Sequence, residues 1–79
     1  MKLFLISQKV NARYDTYDSA VVAAETQDDA RRINPGGDWD RGVDWTGWVK
    51  SPDKVTVTLI GEAALGTEAG IVLSSFNAG

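Results

Sequence analysis

Leu3 to Ile6 are apolar without a break, with Leu3 and Leu5 pointing to one side of an extended chain and Phe4 and Ile6 to the other. A strand that is apolar on both faces predicts a place in the interior of a sheet, over Leu3–Ser7. A polar stretch from Lys9 to Asp18 follows, with Asn11, Asp15 and Asp18 as turn formers. Ser19–Ala24 then reads as a second strand, in which Val21 and Val22 supply β-branching and the alanines leave room for close packing. The two strands predict a β-hairpin with a long loop.

Thr26-Gln27-Asp28-Asp29 is the clearest local signal. Thr26 can accept a hydrogen bond from the Asp29 amide while Asp28 and Asp29 sit at the positive end of a helix dipole, and Arg31 and Arg32 complement the other end. Asn34 precedes Pro35 and is biased out of helical geometry, so the helix runs from Gln27 to Ile33 with Ala30 and Ile33 toward the sheet. Gly36 to Gly47 shows no period of 2 or 3.6. Trp48-Val49 begins or caps a strand, and Lys54–Ile60 alternates Val55, Val57 and Leu59 against Thr56 and Thr58 as a half-exposed strand. One helical turn is expected at Glu62–Leu65, and a last strand at Ile71–Phe76. The order β-β-α-β-β predicts a single α+β domain over residues 1–79: a mainly antiparallel four-stranded sheet with one short helix packed on one face. A small, partly open barrel plugged by the helix is the alternative, and strand order is not readable from the pattern.

Composition tightens this picture. Of the 79 residues 43% are apolar or aromatic, nine of them alanine, so the core rests on few large side chains and one core must serve the whole chain. The absence of cysteine excludes a disulfide framework, a thiolate nucleophile and Cys-ligated zinc. The absence of histidine removes the usual general base near neutral pH and the commonest metal ligand. A net charge of −3 has the wrong sign for neutralising phosphates, so no direct nucleic-acid binding is expected. Residues 1–33 balance five basic against five acidic groups, whereas 34–49 carry Asp38, Asp40 and Asp44 against Arg41 alone. The opening apolar run is too short for a signal peptide or a membrane span, so a cytoplasmic protein without a membrane partner is the expectation.

The segment from Asp38 to Trp48 gathers all three tryptophans and three of the eight aspartates. Tryptophan joins a large apolar area to one donor, so such a cluster is either the lid of the core or a binding surface. Trp48, beside Val49, is expected to cover the sheet. Trp39 and Trp45, flanked by aspartates and glycines, are the candidates for exposure, and exposure of both would favour a partner-binding patch. Tyr14-Asp15-Thr16-Tyr17-Asp18 is a second aromatic and acidic patch, read as turns with one tyrosine over the sheet edge or as a second contact surface. Were the two patches at the same end of the sheet, they would form one aromatic and acidic face. The candidate partner-binding residues are therefore Asp38, Trp39, Asp40, Asp44 and Trp45 with Tyr14, Asp15 and Tyr17.

Other chemistry is weakly signalled. Asp38, Asp40 and Asp44 depart from a calcium loop, because Gly42 comes one place early and Val49 stands where a bidentate glutamate is needed; no metal and no cofactor is expected. The serines and lysines form no nucleophile motif, and the glycines form neither a P-loop nor a dinucleotide fingerprint, which predicts a non-enzymatic protein. A tryptophan platform beside carboxylates also suits sugars.

As a set, Tyr14 to Val22, Ala24-Glu25, Ala30-Arg31-Arg32-Ile33, Gly61-Glu62-Ala63 and Ser75-Phe76-Asn77-Ala78-Gly79 resemble small uncharacterised proteins encoded by bacteriophages and prophages. The resemblance covers most of the chain outside Gly36 to Lys50. It implies a protein working in the cytoplasm of an infected bacterium, where small non-enzymatic proteins often occupy a surface on a host protein, inhibitors of CRISPR effectors being one class. The expectation is a module that binds a host protein or protein complex, an inhibitor of a host defence complex such as a CRISPR effector. The alternatives are a small-ligand or carbohydrate-binding domain using the tryptophans, or a self-associating virion or assembly protein. A homodimer is also among the expected forms.

Overall fold

The computed structural model describes residues 1–12 and 14–77; the closing Ala78-Gly79 of the last motif lies outside them. Four strands, β1 (Lys2–Ser7), β2 (Thr16–Ala24), β3 (Thr56–Glu62) and β4 (Gly70–Asn77), form one antiparallel sheet in the order β3-β1-β2-β4. The fold is the expected α+β arrangement. β1, apolar on both faces, lies inside the sheet, pairing Phe4 with Val22 on one side and Leu59 on the other.

The helix α1 (Gln27–Arg31) crosses one face, and its start is the predicted cap: the Asp29 amide donates to Thr26 Oγ1 at 3.1 Å. Arg32 pairs with Asp28 one turn back at 3.3 Å, and Arg31 Nη1 donates to the carbonyl of Val55, tying the helix to the residue that enters β3. Ala30 is buried under it, in a core of Phe4, Ile6, Ala20, Val22, Ala24, Trp48, Val49 and Val55, with Ile33 packed at the margin. The nine alanines matter here: Ala20, Ala24 and Ala30 let the helix and Trp48 approach the sheet closely, and the one large indole fills the volume they leave.

Three local expectations are corrected. Trp48-Val49 belongs to no strand; both residues are buried in the core from a connecting segment. Glu62–Leu65 is not a helical turn, because Glu62 pairs with Lys2 at the end of β3 and the chain turns at Leu65-Gly66. β2 begins three residues early, at Thr16, with Asp18 bulged out between Tyr17 and Ser19 in its pairing with β4, so that the first loop is shorter than its polar composition predicts.

β3 and β4 lie at opposite edges, so residues 63–69 must cross the end of the sheet. Three strand spacings are about 14 Å, which seven extended residues can span with length to spare. The crossing is held by the Ala63 amide donating to the Met1 carbonyl at 3.0 Å.

Candidate functional site

The aperiodic segment after Asn34 is folded. A single 3₁₀ turn (Trp39–Arg41) leads into α2 (Val43–Thr46), which ends at Gly47 in the left-handed conformation (φ 66°). Glycine is required there twice over: its φ is costly for other residues, and a Cβ would lie 2.7 Å from the Asp15 carbonyl oxygen. Gly36 is needed for a related reason, since a Cβ would sit 1.9 Å from the Thr46 carbonyl oxygen.

These close approaches bring the two loops together. The Tyr17 amide donates to the Gly47 carbonyl at 2.7 Å, and the Asp15 amide donates to the Asn77 carbonyl at 2.6 Å with Asp15 itself at φ 60°. A second set of bonds fixes the hairpin loop from below. Gln8, only 5% exposed, donates through Nε2 to the carbonyls of Asn11 (2.6 Å) and Tyr17 (2.8 Å) and accepts from the Asn11 amide (2.7 Å), while Asn11 Nδ2 donates to the Trp48 carbonyl at 2.9 Å. Gln8 and Asn11 therefore couple the hairpin loop to the tryptophan segment. Residue patterns alone miss them, because a single buried amide carries no periodic signal; Asn11 reads as a turn former and nothing more.

The result is a cleft of about 200 Å³ walled by Tyr14, Asp15 and Thr16 from the hairpin loop and by Val43 and Asp44 from α2. The two patches do lie at the same end of the sheet. Tyr14 is 75% exposed and Trp45, next to Asp44 on α2, is 70% exposed. Arg41 places its guanidinium 5.2 Å from the Trp45 ring centre, a cation–π contact that holds the indole in the open while covering part of it. Asp38 and Asp40 are exposed on the preceding turn.

Two further aromatic candidates are used differently. Trp39 is half-buried against the core and its Nε1 donates to the Arg32 carbonyl at 2.7 Å, so that it closes the end of α1. Tyr17 is half-buried and meets Phe76 edge-on, with ring centres 4.8 Å apart. Trp48 is fully buried, and its carbonyl, not its indole nitrogen, is bonded. Of the three tryptophans, one is core, one is a half-buried lid and one stands on the surface.

Among the described residues no group of three or more carboxylates converges as a metal site would require, and no helix is long and apolar enough to cross a membrane. The Asp53 carboxyl, away from the cleft on the turn Pro52–Lys54, is held below the ordinary carboxylate value, mainly by the Ser51 hydroxyl that donates to it and less by its own amide and the Lys54 charge. Set against protein-family models, curated proteins and solved structures, the chain matches none.

Proposed function

We propose that this chain is a non-enzymatic protein-binding module whose contact surface is the end of the sheet where Tyr14 and Asp15 face Asp44, with the exposed Trp45 beside Asp44 and with Asp38 and Asp40 extending it. The observation that carries the reading is the pairing of two large, well-exposed aromatic side chains with carboxylates on two loops that are bonded to each other. Exposed tyrosine and tryptophan on a fixed backbone give contact area at little entropic cost, and surrounding carboxylates steer a basic partner into place. The cleft is smaller than the roughly 300–1,000 Å³ of typical small-molecule pockets, which favours a macromolecular surface over a sugar or other small ligand.

The partner in this reading is a host protein or protein complex in the bacterial cytoplasm. The resemblance to phage proteins and the acidic, aromatic character of the surface together favour inhibition of a defence complex, for example by covering the basic nucleic-acid channel of a CRISPR effector. Capture from bacterial lysate by wild type, by Tyr14→Ala/Trp45→Ala and by Leu65→Ala tests it. Leu65 is an exposed control in the distant β3–β4 connection. The double variant is expected to keep the far-ultraviolet spectrum and lose at least about tenfold of the captured partner, with the control unchanged. Equal capture by all three proteins would refute the assignment.

A further inference from the structure

Besides the cleft, Val43 walls a second hollow, of about 320 Å³. Four stretches of chain meet around it: Val10 and Asn11 from the hairpin loop, Val43 from α2, Val49 and Lys50 after Trp48, and Lys54 from the turn Pro52–Lys54. Three valines give it an apolar lining. Its walls also carry two ammonium groups and no carboxylate, a charge of +2 in a chain of net −3. Both lysines are exposed, and among the described residues neither lies within ion-pair distance of a carboxylate. Asp53 is close enough to feel the Lys54 charge, but its carboxylate is bonded to the Ser51 hydroxyl.

We propose that this hollow binds a small amphipathic anion, an alkyl chain ending in a carboxylate, with the chain against Val10, Val43 and Val49 and the carboxylate beside the Lys50 and Lys54 ammonium groups. Charge selects the head group. A carboxylate gains attraction from both lysines, whereas an amine meets repulsion from the same two groups and an alcohol gains little. Lysine stems lie along apolar surface and keep their charge at the edge of water, so the head group is paired without the full cost of burying it. The valines select the tail, because covering them removes apolar surface of both ligand and protein from water.

Size and rigidity agree with a small ligand. The hollow falls within the roughly 300–1,000 Å³ of small-molecule sites, as the cleft beside Tyr14 does not. At roughly 30 Å³ for each water displaced, it takes a ligand of about ten non-hydrogen atoms, the size of octanoate. Its walls are also fixed in advance. Asn11 is bonded to Gln8 and to the Trp48 carbonyl, Val49 is buried in the core, the Gly47 amide closes α2 on the Val43 carbonyl at 2.9 Å, and the Lys54 amide donates to the Ser51 carbonyl at 3.1 Å. Little ordering is left for the ligand to impose.

Titration of ¹⁵N-labelled protein with octanoate and, separately, with octylamine tests the proposal, on wild type, Lys50→Gln/Lys54→Gln and Lys2→Gln. Lys2 is an exposed lysine at the far end of β1 from Val10 and controls for net charge. Octanoate is expected to shift the amides of Val10, Val43, Val49 and Lys50 saturably, with a dissociation constant of about 1 mM or tighter. The double variant should keep its circular dichroism and bind octanoate about fivefold more weakly, Lys2→Gln should match wild type, and octylamine should bind wild type more weakly than octanoate. No saturation by about 10 mM octanoate, or shifts centred away from these residues, would overturn it. So would octylamine binding as tight as that of octanoate, undiminished binding in the double variant, or an equal loss in Lys2→Gln.

Discussion

Trp45 and Trp48 are three residues apart and have opposite fates, because Gly47 turns the chain between them. With φ at 66° it ends α2, leaves Trp45 exposed on that turn and is followed by Trp48, which is buried in the core cluster that includes Ala20, Ala24 and Ala30. The burial of Trp48 was legible from its neighbour Val49 and from a core short of large side chains. Trp39 was harder to read: aspartate and glycine flank it as they flank Trp45, and only the Arg32 carbonyl within reach of its indole nitrogen draws it onto the molecule. Gln8 was not legible at all, since an amide at the end of a strand has the same local pattern whether it faces solvent or replaces a missing turn of backbone bonds. Its three bonds make it the residue on which the loop geometry depends. Gln8→Ala removes the bonds that Gln8 makes to the Tyr17 carbonyl and the Asn11 amide in a half-buried place, and is expected to cost about 2–3 kcal/mol in urea denaturation. A loss under about 0.5 kcal/mol would mean that water serves as well.

At the scale of elements, strands were the most readable part. Alternation in β3 and two-sided apolarity in β1 are properties of the chain itself, and both survive in the sheet. The short turns were invisible for a physical reason: a 3₁₀ turn of three residues and a helix of four do not complete enough of a period to show one. The helical turn expected at Glu62–Leu65 failed because helix propensity in four residues is far weaker than strand pairing, which takes Glu62 opposite Lys2. α1 was readable from its cap, and the cap gives the prediction that belongs to this scale. In a helix of five residues the Thr26 bond serves one of the few orphan amides, so Thr26→Ala is expected to lower stability by about 1 kcal/mol, while Thr26→Asp, which keeps the acceptor, should restore most of it. Equal stability of Thr26→Ala and wild type would show that packing under Ala30 alone fixes the helix.

For the whole molecule, the strand order β3-β1-β2-β4 could not be read, because it is decided by which edge a connection reaches and not by any local pattern. That order has two consequences. It places β4 at an edge with one face of the sheet uncovered beside it, and it closes the opposite end with two loops bound to each other through Gly47, Gln8 and Asn11. Tyr14 and Asp15 on one loop and Asp44 on the other, separate in sequence, wall one cleft only through this arrangement, with Trp45 exposed next to Asp44. The central claim is that this surface, and not the core-bound tryptophans, receives the partner. Indole N–H resonances of ¹⁵N-labelled protein, followed while the purified captured partner is added to saturation, test it directly: the Trp45 signal is expected to shift or broaden while that of Trp48 keeps its position. A saturated complex in which the Trp45 resonance is unmoved would contradict it.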